Sequence, residues 1–475
     1  MARTGGSRGV GRGTMGRSGM RLAVWISVLA IGAGGCAQGL QGNGQYSGNV
    51  RTVADADIEI KGLPDGKKTD VDVIAGNAIA DIQRYWTEQF PKVFNGRRYE
   101  GPKGGLYSVD PSVNQDVPCV SSPSQIRGNA FYCPPKDVVA WDRVDLFPSL
   151  KEKFSPFLIA MVLAHEWGHV IQAKSGVEPA RTIVRETQAD CYAGGWTRST
   201  LEGQAPHFQI ERAELDNALA GYLLFRDPIG AAASDQDAHG NGFDRISAFQ
   251  EGFEQGPVHC AKFTDDRNFT EIRFTDPTDL GRGGNLPLDD QPNEPGAITA
   301  GFTDLNSTWP GLFKDLFGKD LSKPRAEQYA EGDNVTCGGS PVRQGVLYCA
   351  SNNTIFYDTE ALRNVSTKTK DSDYAPMTLA GIAYAQAVET QASRSTAGKG
   401  GLLRAICLDG GYTAVVTRRS PQDRGLRLSP GDLDEAIQSL LFYAGLDNFF
   451  GARGTSGFDR VQAYRQGFND AKSCT

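Results

Sequence analysis

Residues 155–176 read SPFLIAMVLAHEWGHVIQAKSG, and this stretch decides the fold of the chain. Ser155 can cap a helix, and Pro156 suits the first helical position, where no backbone N–H is needed. Residues 157–164 are apolar on every face, and Gly176 can end the helix. The stretch therefore predicts a buried helix that ends in a polar turn.

The second part of this helix carries His165, Glu166 and His169 in the pattern HExxH. Residues four apart on a helix lie about 40° apart around the axis and about 6 Å along it, so both imidazoles can bind one ion. A catalytic zinc ion takes three protein ligands and leaves a fourth position for water. The pattern predicts a zinc site with His165 and His169 as ligands and Glu166 as general base and acid.

The third ligand is expected on the next helical stretch, residues 181–197, which contains Glu186 and Asp190 one turn apart. We predict that Glu186 binds the metal and that Asp190 accepts the N–H of a ligand histidine. The reverse assignment, with Asp190 on the metal and Glu186 behind it, stays open. Tyr192 and His207 are candidates for stabilising an oxyanion, although residues of both types more often serve packing or the surface.

The sequence around these positions resembles the neutral zinc metallopeptidase family of bacteria. The resemblance covers about residues 71–262 and rests on Cys133-Pro134, on HExxH with Gln172, and on the block ETQADCYAGGW at 186–196. It implies an α+β, zincin-like domain in which a sheet edge receives an extended peptide beside the active-site helix. Residues 138–141, an apolar run after Cys-Pro-Pro, are our candidate for one strand of that sheet.

Three blocks of the first half recur in the same order in the second half. They are Cys119 with Tyr132-Cys133 and Cys337 with Tyr348-Cys349, then the segments around Cys191 and Cys407, and finally Gly-Phe-Asp-Arg at 242–245 and at 457–460. We therefore predict a tandem duplication of residues 71–262 and 290–475. Residues 263–289 form the linker, where a stretch rich in Asp, Pro and Gly begins at Asp276.

The repeat also predicts the disulfide bonds, because each half carries four cysteines in the same order. Symmetry favours the pairs Cys119 with Cys133, Cys191 with Cys260, Cys337 with Cys349, and Cys407 with Cys474. Free buried thiols are the alternative.

The second half lacks the candidate metal ligands and the candidate base of the first half. Tyr384, Ala385 and Val388 stand where His165, Glu166 and His169 stand, and Leu402 and Ile406 replace Glu186 and Asp190. We therefore expect the second copy to keep the fold without binding zinc in this way. Its expected role is recognition of a substrate or partner, with packing against the active half as the alternative.

The N-terminus has the features of an export signal. Residues 1–35 hold five Arg and no acidic residue, the run 22–31 is apolar, and Ala33-Gly34-Gly35 precedes Cys36. This pattern predicts a signal peptide with a lipobox, lipidation of Cys36, and a tether over residues 36–70. Plain secretion with a free Cys36 and an uncleaved anchor are the alternatives. Each places the chain outside the cytoplasm, where disulfides form.

The net charge of the chain argues against one class of partner. The formal net charge of the 475 residues is −7, and it is −12 without the first 35 residues, so a nucleic-acid partner is not expected. The leading prediction is a zinc endopeptidase outside the cytoplasm, tethered to the membrane by lipid and acting on a peptide or protein. The alternatives are a non-catalytic binding or scaffold lipoprotein, and a zinc hydrolase that acts on a non-protein amide such as a cell-wall peptide.

Overall fold

The computed structural model describes residues 50–52, 55–231, 239–274, 280–330, 332–420 and 422–475. The predicted signal segment 1–35, Cys36 and the tether up to residue 49 lie outside these ranges, as do residues 275–279 of the predicted linker. Within the described ranges, no helix is both long and apolar enough to cross a membrane. The fold is α+β, with long helices and small sheets.

Long helices surround one three-stranded sheet in the N-terminal half. The helices are α1 (Asp70–Val93), α2 (Leu146–Lys153), α3 (Pro156–Ser175), α4 (Thr182–Leu201), α5 (Arg212–Tyr222), α6 (Gly242–Gln255) and α7 (Pro257–Cys260). The strands are β1 (Arg51–Thr52), β2 (Gly105–Val109), β3 (Ala130–Cys133), β4 (Val138–Asp142) and β5 (Phe208–Gln209). Strand β4 is central, parallel to β2 and antiparallel to β3, and β1 pairs with β5. This order leaves β3 at one edge of the sheet, where it contacts α3.

Helix α3 is the buried helix that the sequence predicts. The Ser155 hydroxyl accepts the N–H of Phe157, Pro156 is the first helical residue, and Gly176 follows the last turn with φ 70°. Every residue from 157 to 172 is buried, because α1, α2, α4, α5 and β3 pack around the helix. A helix that is apolar on all faces is stable only in such surroundings. The hydrophobic burial of α3 therefore also holds its polar residues in the interior.

Glycines bring α3, α4 and α6 unusually close together. A methyl group on Gly168 of α3 would lie 2.5 Å from the Cα of Ala189 on α4. A methyl group on Gly252 of α6 would overlap the carbonyl oxygen of Cys191, on another face of α4. The acidic residues of α4 are thus held between α3 and α6.

The C-terminal half contains similar elements in a similar order. Its helices are α8 (Ala297–Phe317), α9 (Thr359–Lys368), α10 (Tyr374–Gln391), α11 (Gly398–Thr417), α12 (Asp432–Phe442) and α13 (Gly457–Asn469). Its strands are β6 (Arg325–Tyr329), β7 (Thr336–Cys337), β8 (Ser340–Pro341), β9 (Val346–Cys349) and β10 (Thr354–Asp358). Strand β10 is central, parallel to β6 and antiparallel to β9, as β4 is to β2 and β3. One continuous hydrophobic core extends through both halves.

Four disulfide bonds join the cysteines in the pairs that the sequence predicts. They are Cys119–Cys133, Cys191–Cys260, Cys337–Cys349 and Cys407–Cys474. The second bond ties α4 to α7, and the fourth ties α11 to the C-terminal 3₁₀ turn at residues 471–474. Each half therefore has one bond at its small sheet and one at its helices.

We expect Gly168→Ala to lower the free energy of unfolding by about 2 kcal/mol, because the added methyl group forces α3 and α4 apart. Gly311→Ala is the matched control. This helical glycine has no atom within 4 Å of the added methyl, so the substitution should stabilise the chain by up to about 1 kcal/mol. Urea unfolding followed by circular dichroism measures both effects. A Gly168→Ala variant as stable as the wild type would show that the helix contact tolerates expansion.

Candidate metal centre

Helices α3 and α4 bring the three predicted ligands together. The Nε2 atoms of His165 and His169 are 3.2 Å apart. Glu186 places Oε2 3.2 Å from Nε2 of His165 and Oε1 3.5 Å from Nε2 of His169. All three side chains are buried. The two imidazoles and the carboxylate therefore converge on one point.

The orientation of His165 is fixed by Asp190. Its Nδ1 lies 2.7 Å from Oδ1 of Asp190, so Nδ1–H donates to the carboxylate and Nε2 carries a lone pair in the neutral ring. Glu186 is on the Nε2 side of the ring and Asp190 on the Nδ1 side. Of the two assignments that the sequence leaves open, this arrangement corresponds to Glu186 as ligand and Asp190 behind the histidine.

The orientation of His169 is fixed by two glutamines. Nδ1 of His169 lies 2.9 Å from Oε1 of Gln172. The amide nitrogen of Gln172 donates to the carbonyl oxygen of Arg185, at 2.7 Å, and to Oε1 of Gln188, at 3.0 Å. Oε1 of Gln172 therefore accepts the Nδ1–H of His169, and Nε2 of this ring also carries a lone pair towards Glu186.

These donors fit a zinc ion. With metal–ligand distances of about 2.1 Å, tetrahedral coordination separates neighbouring ligand atoms by about 3.4 Å. The two Nε2 atoms are 3.2 Å apart, and they lie 3.2 and 3.5 Å from Oε2 and Oε1 of Glu186, respectively. Three lone pairs that face each other in a buried site repel unless a cation lies between them. Oε2 of Glu186, moreover, makes no hydrogen bond within the described part of the chain. The geometry and the missing hydrogen bond both indicate a metal ligand set.

The charge of the site also calls for a divalent cation. Glu166, Glu186 and Asp190 are buried, and the guanidinium of Arg245 pairs with Asp190, so these four groups in their ionised forms have two negative charges in excess. Burial opposes charge on His165, but Asp190 raises its pKa to about 10 in the metal-free chain. The site therefore favours the binding of positive charge. A divalent ion supplies this charge and leaves the imidazoles neutral.

Asp190 is itself held by residues from two other helices. Arg245 on α6 donates from Nε to Oδ2, at 2.9 Å, and from Nη2 to Oδ1, at 2.8 Å. Tyr222 at the end of α5 donates its hydroxyl to Oδ1. Although burial opposes ionisation, Arg245 and His165 lower the pKa of Asp190 to about 2. The carboxylate behind His165 is therefore ionised and fixed in orientation.

Glu166 lies beside the ligands but does not share their hydrogen bonds. Its Oε2 accepts the backbone N–H of Tyr132 on edge strand β3, at 2.9 Å. Its Oε1 is buried and makes no hydrogen bond with the described residues. Burial raises the pKa of Glu166, and the nearby imidazoles oppose that rise. One oxygen is thus anchored and the other is free for proton transfer.

Several residues of the site are absent from the sequence-based prediction. They are Arg245, Tyr222, Gln188 and the backbone N–H of Tyr132. Arg245 belongs to the repeated Gly-Phe-Asp-Arg block. The repeat indicates a duplication but does not indicate that Arg245 contacts Asp190. The two oxyanion candidates do not contact the ligands, since the ring of Tyr192 packs against Trp86 and His207 pairs with Asp81.

Together, the fold and the ligand set define an α+β protein with a metallopeptidase-type HExxH centre. The family described as "Putative neutral zinc metallopeptidase" matches residues 2–263, more than half of the chain. The chain belongs to this family.

Bacterial relatives match part of the chain. YpfJ of Escherichia coli strain K12 is 30% identical over an alignment of 210 residues, and the match covers 39% of this chain and 69% of YpfJ. Mb2605 of Mycobacterium bovis and Rv2575 of Mycobacterium tuberculosis strain H37Rv are each 29% identical over an alignment of 169 residues, and each match covers 30% of this chain and 57% of the relative. All three are named as uncharacterized proteins, so their names indicate no substrate. No solved structure matches the chain.

We expect zinc to stabilise the folded chain through the three ligands. Zinc at 100 times its dissociation constant should add about 3 kcal/mol to the free energy of unfolding, and chelation should remove it. His169→Ala should abolish both the bound zinc and the effect of the chelator. His259→Ala, which alters a histidine paired with Glu251, is the control and should retain both. Metal analysis and thermal unfolding would contradict the site if His169→Ala kept one equivalent of zinc.

Proposed function

We propose that the chain is a zinc-dependent endopeptidase that hydrolyses peptide bonds outside the cytoplasm. The observation that carries this proposal is the convergence of His165, His169 and Glu186 beside Glu166, a carboxylate that is not one of the ligands. A purely structural zinc site takes a fourth protein ligand and needs no such carboxylate. Membership of the family supports the same reaction class.

The residues of the site suit each step of hydrolysis. A zinc ion held by this ligand set supplies Lewis acidity and lowers the pKa of a coordinated water. Glu166 accepts a proton from water at Oε1 and returns it to the leaving amine. In the chain without substrate the N–H of Tyr132 holds Oε2, so Oε1 is the oxygen left without a hydrogen bond among the described residues. Burial raises the pKa of Glu166, which favours the return of the proton to the leaving amine.

A second candidate function is a non-catalytic binding or scaffold protein with the same fold. It is favoured by the burial of the centre, because Glu166 has no exposed surface and His169 is only 8% exposed. A peptide reaches these side chains only after the residues that cover them move. The two candidates therefore differ in whether this opening occurs with substrate.

We expect Glu166→Gln to retain zinc and to lose cleavage of a broad peptide library by about 10²-fold or more, because the proton acceptor is removed. Glu202→Gln, on the exposed end of α4, is the matched control and should cleave as the wild type does. Mass spectrometry of the digests and metal analysis give the two readouts. A zinc-loaded wild type that cleaves nothing would favour the scaffold function.

We also propose that the second half is a degenerate copy of the first. The matching sheet order, the paired disulfides and the Gly467 contact, in which an added methyl would overlap the carbonyl oxygen of Cys407, support this origin. Tyr384, Val388 and Leu402 occupy the positions of the three ligands. The proposal assigns one zinc site to the whole chain.

Export and lipid anchoring are the last part of the proposal. They are supported by the lipobox-like residues before Cys36 and by four disulfides, which suit an oxidising compartment. We place the protein at the cell membrane as a lipoprotein, with secretion as the second choice. Cys36→Ser should move the protein from the membrane fraction of its host to the soluble or precursor pool. An unchanged distribution would exclude the lipid anchor.

A further inference from the structure

The two halves cap each other's helices through a reciprocal pair of aspartates. Asp434, on α12 of the C-terminal half, accepts the N–H of Phe243 at the start of α6, at 2.8 Å. Asp216, on α5 of the N-terminal half, accepts the N–H groups of Gly457 and Phe458 at the start of α13, at 2.6 and 2.8 Å. We call these contacts the two reciprocal caps. Both capped helices begin with the repeated Gly-Phe-Asp-Arg block.

The cap made by Asp434 fixes the segment around Arg245 from two sides. One oxygen of Asp434 binds the backbone two residues before Arg245. The other accepts Nη1 of Arg226, at 2.6 Å. Phe225, the residue before Arg226, accepts a hydrogen bond from the guanidinium of Arg245 at its carbonyl oxygen. Asp434 and its bond to Phe243 are buried, whereas the Arg226 side chain is 24% exposed.

Arg245 connects the segment held by Asp434 to the metal centre. It binds both oxygens of Asp190, and Asp190 accepts the Nδ1–H of His165. We infer that Asp434 of the C-terminal half is a positioning residue for the metal ligand His165, so that the half without ligands supports the centre of the other half. This inference rests on the metal site of the proposed function. It goes beyond that function by assigning a task to the C-terminal half.

The cap made by Asp216 provides an internal comparison. Asp216 binds the N–H groups of the first two positions of the Gly-Phe-Asp-Arg block in the other half, whereas Asp434 binds the N–H of the second position alone. Arg460, the counterpart of Arg245, donates to the carbonyl oxygens of Leu440 and Thr455, and Ile406 stands where Asp190 stands. The cap at α13 therefore does not lead to a metal ligand. Loss of either aspartate removes a cap between the halves. Only the loss of Asp434 is expected to change the orientation of His165.

The test measures zinc affinity of the full chain by competition with a chromophoric chelator, and the visible absorption of the Co²⁺-substituted chain. Asp434→Ala should weaken zinc binding by about 10-fold or more, as loss of outer-shell partners does, and should alter the Co²⁺ spectrum. Asp216→Ala should leave the affinity and the spectrum unchanged while lowering Tm to a similar extent. Asp434→Asn, which keeps an oxygen for the N–H of Phe243, should recover part of the affinity.

Other outcomes would overturn the inference. Wild-type zinc affinity and an unchanged Co²⁺ spectrum in Asp434→Ala would overturn it. Equal losses of affinity in Asp434→Ala and Asp216→Ala would also overturn it, because equal losses indicate a general loss of stability. If Asp434→Ala does not fold, Arg226→Ala breaks one arm of the restraint and keeps the cap, and it must then weaken zinc binding. A wild-type chain that binds no zinc overturns the proposed function together with this inference, whereas the first outcomes leave the proposed function intact.

Discussion

Three buried carboxylates and one guanidinium meet where α3, α4 and α6 pack together. Ionised carboxylates in such surroundings are costly unless their charge is balanced and their lone pairs are used. Two imidazoles with Nε2 atoms 3.2 Å apart can supply that balance as cations only against their mutual repulsion. A divalent ion held by the same three side chains balances the charge without this repulsion. On the proposed zinc site, metal binding and the stability of the N-terminal half are therefore parts of one equilibrium.

The close packing that creates this site depends on small residues. Gly168 lets α4 approach α3, and Gly252 lets α6 approach α4 from another side. Larger residues at either contact would move Glu186 away from the histidines or Arg245 away from Asp190. The same packing leaves little space around the ligands, since geometry accurate enough to hold an ion requires neighbours that restrict each side chain. Burial of the centre is thus a consequence of how it is held.

The sequence predicts those parts of the site that depend on local spacing. The HExxH helix and its cap at Ser155 follow from helical geometry and from the apolar run around them. Glu186 on the next helix is predicted as a ligand with Asp190 as the alternative, because spacing within one helix does not determine which side chain faces another helix. The contacts of Arg245 and Tyr222 with Asp190 could not be predicted, because they depend on how α5 and α6 fold back onto α4. The role of Asp434 depends on the packing of two halves, on which helical periodicity carries no information. The disulfide pairs were accessible because the repeat supplied a second, independent copy of the pattern.

On the proposed function, the edge strand β3 would connect the closed centre to the binding of a peptide. Peptides that add to a sheet edge bond to its unpaired backbone groups. The N–H of Tyr132 on this edge is already bound to Glu166, the proposed general base. A peptide that pairs with β3 at this residue must therefore displace the carboxylate from its anchor. Such a displacement would free Glu166 when substrate is present and keep it hydrogen-bonded when substrate is absent. The burial of the centre and peptidase activity are consistent with each other if docking at the edge strand and exposure of the carboxylate are the same event.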